Sequence, residues 1–111
     1  MNPQPIGTEV VDGVLVALAD PTRRQLLGLL SAHGQATAST LAEGLPVSRQ
    51  AVVKHLAVLD GAGLVEATKA GREVRYTVRP ERLGDTARWM AALAAEWDAR
   101  LLAIKRIAEE G

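Results

Sequence analysis

Residues 46 to 64 read Pro-Val-Ser-Arg-Gln-Ala-Val-Val-Lys-His-Leu-Ala-Val-Leu-Asp-Gly-Ala-Gly-Leu, and this run holds the side chains best suited to chemistry. Arg49 and Gln50 directly follow Ser48, and Lys54 comes one helical turn after Gln50. An arginine fork matches the two acceptors on the edge of guanine, and a glutamine amide matches the donor and acceptor of adenine. Lysine suits a base or a phosphate. Val53 can set its methyls against a thymine methyl or pack against a neighbouring loop. Ser48 is first a helix cap and second a phosphate donor. His55 adjoins the apolar side, where it reads as a half-buried structural residue or as a phosphate donor. The same pattern also fits a plain surface helix with solvated charges.

Positioning these groups requires a helix that docks by one face. Ser48 supplies its N-cap, and Gly63 can adopt the left-handed geometry that stops it. Val52, Leu56 and Leu59 form an apolar stripe at helical spacing, and Arg49, Gln50, Val53, Lys54 and Ala57 lie largely off it. Upstream, Thr37 can cap a short helix ending at Glu43-Gly44, with Leu41 inward. Thr37 and Thr40 in its first turn suit a phosphate. Only Leu45-Pro46-Val47 separates the two helices, so residues 37–63 read as a helix-turn-helix. Residues 64–79 read as a β-hairpin: Leu64–Lys69, a turn at Ala70-Gly71-Arg72, then Glu73–Val78 with Val74, Tyr76 and Val78 on one side. Arg72 at the tip suits a minor groove, while Lys69 and Arg75 suit the nucleic-acid backbone.

The flanking segments carry surplus apolar surface. Met1 to Gly7 reads as a loose arm. A helix over 8–19, capped by Thr8, places Val10, Val11, Val14, Leu15 and Leu18 on more than one face. Asp20-Pro21 starts the next helix, which bears Leu26, Leu27, Leu29 and Leu30 and ends at His33-Gly34. Arg23 and Arg24 beside Asp20 fit either a local ion pair or a nucleic-acid contact. The last helix, 85–110, has a seam of Met90, Ala94, Trp97, Leu101, Ile104 and Ala108 at alternating spacings of four and three, flanked by Leu93 and Ile107. Val10, Val14, Met90, Leu93, Ala94, Trp97, Leu101 and Ile104 are therefore the expected interface between two copies of the chain. Trp89 and Trp97 belong with that interface rather than with a ligand pocket.

Composition narrows the function classes. At 111 residues with 48% hydrophobic content, the chain suits one folded domain with an aliphatic core, since Ala numbers 19 and Phe is absent. There is no Cys, which removes disulfides, thiolate ligands and thiol sensing. His33 and His55 fall on different helices, and Asp85, Glu96 and Asp98 fit a solvated face, so no metal site is expected. Ser31, Ser39 and Ser48 lack a base and acid partner, and no glycine-rich loop follows a strand in the phosphate-binding pattern. Neither an enzyme nor a cofactor is expected. No segment is apolar enough to span a bilayer and no secretory signal pattern opens the chain, so the expected compartment is the cytoplasm. Net charge is zero, but its distribution is uneven: residues 1–45 carry −2, residues 46–82 carry +3 and residues 83–111 carry −1. The positive excess falls on the helix of Arg49 and the hairpin.

The order of elements is that of a mainly α fold with a small β-hairpin, a winged helix-turn-helix with N- and C-terminal dimerisation helices. The sequence resembles the ArsR/SmtB transcriptional repressors over roughly residues 10–105. The resemblance rests on Leu18-Ala19-Asp20-Pro21-Thr22-Arg23-Arg24, Leu26-Leu27, Leu29-Leu30, Leu41-Ala42, Val47-Ser48-Arg49-Gln50-Ala51-Val52, His55-Leu56, Leu59 and Ala62-Gly63-Leu64-Val65. Gly71-Arg72-Glu73-Val74-Arg75-Tyr76 matches the wing. The resemblance implies a homodimer joined by its first and last helices, with paired recognition helices on a pseudo-palindromic double-stranded DNA operator. It also implies an inducer, here an unidentified small molecule, that releases the DNA. Two positions depart from the family pattern. The cysteine ligands of its metal sensors are absent, and Val53 stands where relatives commonly carry a small hydroxyl. The alternative reading is a winged-helix protein–protein interaction module that does not bind DNA.

Overall fold

The computed structural model describes residues 8–110. The expected arm, Met1 to Gly7, lies outside the described residues. Five helices and three short strands follow in the order α1 (Thr8–Leu18), α2 (Pro21–His33), β1 (Ala36–Thr37), α3 (Ala38–Glu43), α4 (Arg49–Gly61), β2 (Val65–Ala70), β3 (Glu73–Val78) and α5 (Glu81–Glu110). The fold is mostly helical with a small antiparallel sheet, as the sequence pattern implies.

Local chemistry sets the boundaries. The Asp20 carboxylate caps α2, accepting from the amides of Thr22 at 2.7 Å and Arg23 at 3.4 Å. Thr37 Oγ1 caps α3 through the Thr40 amide at 3.2 Å, and Ser48 Oγ caps α4 through the Ala51 amide at 3.1 Å. Gly63, at φ 76°, turns the chain out of α4 and into β2. There the Arg82 guanidinium donates to the Ala62 carbonyl at 3.0 Å and would lie 2.6 Å from any Cβ at residue 63. The positive φ favours glycine at that position, and a Cβ there would push the Arg82 side chain aside.

The core is aliphatic and shared among α1–α4 and the base of the sheet. Val14, Leu26, Leu30, Val52, Leu56, Leu59 and Leu64 are fully buried there, and Leu41 nearly so. The stripe predicted for α4 is the stripe that docks. Inserting it fixes which way Arg49 and its neighbours face, since residues off the stripe have nowhere to go but outward.

The sheet differs from the expected two-stranded hairpin. It has three strands in the order β1-β3-β2, both pairings antiparallel, with Ala36 opposite Tyr76 and Thr37 opposite Arg75. The hairpin register runs from Val65 opposite Val78 to Ala70 opposite Glu73. Gly71, at φ 64°, opens its two-residue turn and Arg72 follows with negative φ, the pattern of a type II′ turn. β1 closes the second edge of β3 and so ties the wing to the start of α3.

Helix α5 begins four residues earlier than the sequence suggests, directly after Pro80, whose carbonyl accepts from the Gly84 amide at 3.0 Å. Its 30 residues extend about 45 Å by helical rise. Thr86 is buried and returns its hydroxyl to the Arg82 carbonyl at 2.8 Å; every residue from Ala87 to Glu110 is exposed. The described chain accordingly measures 69 × 36 × 20 Å.

Candidate nucleic-acid interface

The open face of α4 looks onto a groove. Its walls are α3 and α4 on one side and the wing on the other, and its lining includes Thr37, Ser39, Arg49, Val53, Arg72, Val74 and Tyr76, around a volume of about 500 Å3. Arg49, Gln50, Val53 and Lys54 are all exposed. Arg49 and Val53 are one turn apart on this face, and Gln50 and Lys54 form the adjacent pair. The groove therefore presents Arg49 and Val53 from α4, with Arg72 and Glu73 from the hairpin facing them, and Gln50 and Lys54 lie outside its lining, exposed on the same helix.

Arg49 is not a loose cation. Its Nε donates to Ser39 Oγ at 3.0 Å, across the turn between α3 and α4. The sequence offers Ser39 only as a serine without a base and acid partner, and its bond to Arg49 is a finding of the structure. Val74 and Tyr76, read as sharing one side of the hairpin, both line the groove, and Tyr76 also packs against the core. Lys69 pairs with Val74 across the hairpin and so shares that sheet face, nearer the tip.

A smaller recess adjoins the groove, lined by Gln35, Ala36, Thr37, Thr40, Glu73 and Arg75. Thr37 and Thr40 meet there as expected, but each is engaged in capping, with the two hydroxyls 3.1 Å apart. Glu73 brings a carboxylate to the same recess, held by Arg75 Nη2 at 3.3 Å. Glu73 lines the groove as well, but there Arg49 and Arg72 outnumber it, so of the two the groove is the more favourable place for an anion.

Three expectations need correction. His55 does not share the open face: its Nδ1 stands 3.4 Å from Arg23 Nη1, on the side of α4 facing α1 and α2. Arg23 and Arg24 are neither free for DNA nor merely paired with Asp20. Arg23 donates to the carbonyls of Ala17 at 2.6 Å and Val16 at 3.2 Å, and Arg24 to that of Leu18 at 2.5 Å. The two arginines close the C-terminus of α1, where cations are favoured by the unpaired carbonyls and the helix dipole. Arg23 also lies 3.8 Å from the Asp20 carboxylate. Burial works to raise the pKa of Asp20, but the amides of Thr22 and Arg23 and the charges of His55 and Arg23 outweigh it and hold the carboxyl below its ordinary value.

The third correction concerns α1. Val14 is 0% exposed in the single chain, so it has no surface to give a partner; Val10 is half-buried against the same core. Leu15 and Val16 take the outward positions, Val16 at 66% exposure. On α5 the expected seam is open: Met90, Leu93, Ala94, Trp97, Leu101 and Ile104 are all exposed, joined by Trp89, Leu102 and Ile107. Arg100 sits over the Trp97 ring, 5.5 Å from its centroid, and covers one side of it.

Comparison with known proteins decides the family. Residues 18–68, which span α2 through most of β2, match the family described as Helix-turn-helix domain. A Streptomyces lividans protein named "Probable mercury resistance operon repressor" is 37% identical over 95 residues, covering 86% of this chain and 75% of that protein. An ArsR-like transcriptional regulator from Rhodococcus sp. RHA1 has the same fold at a TM-score of 0.82 and 48% identity, over 93% of this chain and 97% of that one. The chain belongs to the ArsR family of winged helix-turn-helix transcriptional regulators. A homodimeric winged helix-turn-helix DNA-binding domain from Mycobacterium bovis matches at a TM-score of 0.60 and 28% identity, over 88% and 90% of the two chains. In this winged helix-turn-helix fold α3 and α4 form the helix-turn-helix and the β2–β3 hairpin is the wing. Among the described residues no group of three or more His, Cys, Asp or Glu is placed to hold a metal ion, and no helix is long and apolar enough to cross a membrane.

Proposed function

We propose that this chain is a homodimeric repressor that reads a pseudo-palindromic operator in double-stranded DNA and acts in the cytoplasm. Two recognition helices enter successive major grooves, with Arg49 and Gln50 on base edges, Val53 near a thymine methyl and Lys54 on a base or phosphate. Arg72 enters the flanking minor groove, and Lys69 and Arg75 lie along the backbone. Thr37, Thr40 and Ser48 add polar contacts to phosphate. The dimer forms through α5, with Leu15 and Val16 of α1 beside it.

The observation that carries this reading is the open face of α4. Its apolar stripe is fully buried, Arg49, Gln50 and Lys54 are all exposed, and Arg72 faces Arg49 across the groove. The interaction-module alternative gives no reason for that arrangement. The exposed apolar face of α5 supports the dimer, and the Mycobacterium bovis relative is itself described as homodimeric.

Any inducer of release from the operator is an organic ligand or a partner protein, or there is none. One relative is named for mercury resistance, yet this chain has no Cys, and thiophilic metals select thiolates. A gel shift on fragments of the regulator's own promoter tests both parts. Binding should weaken steeply with salt, with a slope of about −0.9 per phosphate neutralised. Micromolar zinc, nickel, cobalt, arsenite and mercury(II) should leave the complex intact. Weak, salt-insensitive binding would favour the interaction module; stoichiometric release by a metal would overturn the metal-free reading.

A further inference from the structure

An arginine has one Nε–H and two terminal nitrogens, and it can grip guanine by its end or by its side. Here the Nε–H of Arg49 is spent on Ser39 Oγ at 3.0 Å. That leaves the two terminal nitrogens as the free fork. The bond also ties a long side chain to α3, a second helix anchored independently in the core through Leu41 and Ala38. Arg49 and Ser39 both line the groove, so the tether acts within the DNA-facing surface and not behind it.

The geometry points to Ser39 as a specificity-determining positioning residue. It holds the Arg49 guanidinium with its end-on fork facing out, set to take the two acceptors of one guanine in each half-site. This rests on the DNA-reading role of α4. Fixing the side chain before binding removes part of the rotamer entropy that readout would otherwise cost. The cost of losing the tether should therefore appear only at the base pair that Arg49 reads. The bond joins two exposed side chains, so its removal should hardly change stability.

The test uses the intact protein and a panel of operator duplexes, each with one base pair changed. Arg49→Ala first identifies the position at which discrimination is lost. Ser39→Ala should lose about five- to tenfold of discrimination at that same position and none elsewhere. Its affinity for random duplex, its salt slope and its melting temperature should stay at wild-type values. Ser39→Thr, which keeps a hydroxyl, should restore discrimination, and Ser39→Ala added to Arg49→Ala should cost nothing further. The inference is overturned if Ser39→Ala keeps full discrimination at that position. It is also overturned if all duplexes weaken equally, which would make Ser39 a phosphate contact. A wild-type protein with no preference among the duplexes would instead remove the DNA-reading role itself, and this inference with it.

Discussion

Helix α4 leaves one face uncovered, α5 is uncovered all round beyond Thr86, and the two differ in the chemistry of the face each offers a partner. The open face of α4 is polar, with Arg49, Gln50 and Lys54 in water and the apolar stripe sealed below. Such a face is stable as it stands and can wait for a polyanion. The open face of α5 is apolar. Trp97 is 54% exposed, and Met90, Leu93, Leu101 and Ile104 lie on the same side of the helix, flanked by Ile107. Contiguous apolar surface of this kind mark sites of association. One helix is built for a partner that comes and goes, the other for one that stays.

Breaking the α5 face should have the largest effect. Trp97→Asp with Leu101→Asp should reduce the sedimenting species to one chain. It should also lower operator affinity by about a hundredfold or more, because two half-sites would no longer be held together. Wild-type mass and affinity in that variant would mean that α5 is not the seam. Next comes the floor beneath the α4 face. Leu56 is fully buried, and Leu56→Ala should cost about 2–5 kcal/mol in denaturant unfolding, lowering all DNA binding in proportion to the folded fraction.

On the open face itself, Arg49→Ala or Gln50→Ala should cost about 1–3 kcal/mol on the operator and less on random duplex. Arg72→Ala should weaken both and make the salt slope shallower by about 1. A change of base preference with Arg72→Ala and none with Arg49→Ala would reverse the roles of wing and recognition helix. The smallest effect sharpens the contrast with groups that face inward. The folded pKa of Asp20 lies below its unfolded value, so the stabilisation is complete at neutral pH and fades as pH falls through the folded pKa. Asn can still cap α2, so Asp20→Asn should lower the melting temperature slightly at neutral pH, with the difference closing in acid. A gap that widens in acid would contradict this assignment.

Much of this contrast could be read from the chain alone, because it is written in local signals. The Ser48 cap, the Gly63 stop and the stripe of Val52, Leu56 and Leu59 lie within 16 residues of one another and need no tertiary information. The α5 seam was legible for the same reason, since periodicity survives without knowing the partner. What escaped depended on contacts between distant segments. β1 is two residues long, too short for any period, and exists only because β3 offers an open edge. Ser39 meets Arg49 across a turn, and His55 meets Arg23 across 32 positions. On α1, Val14 and Leu15 are both apolar, and only the packing of the neighbouring helices decides which faces inward. The start of α5 was placed late, although Pro80 leaves its carbonyl free to begin the helix at Glu81.

The most direct test of the two-face account is the mass of the protein–operator complex at sedimentation equilibrium. One duplex should carry two chains of 11.8 kDa each, and the free protein should already sediment as that pair at micromolar concentration. A free monomer that binds the duplex singly with full affinity would contradict it.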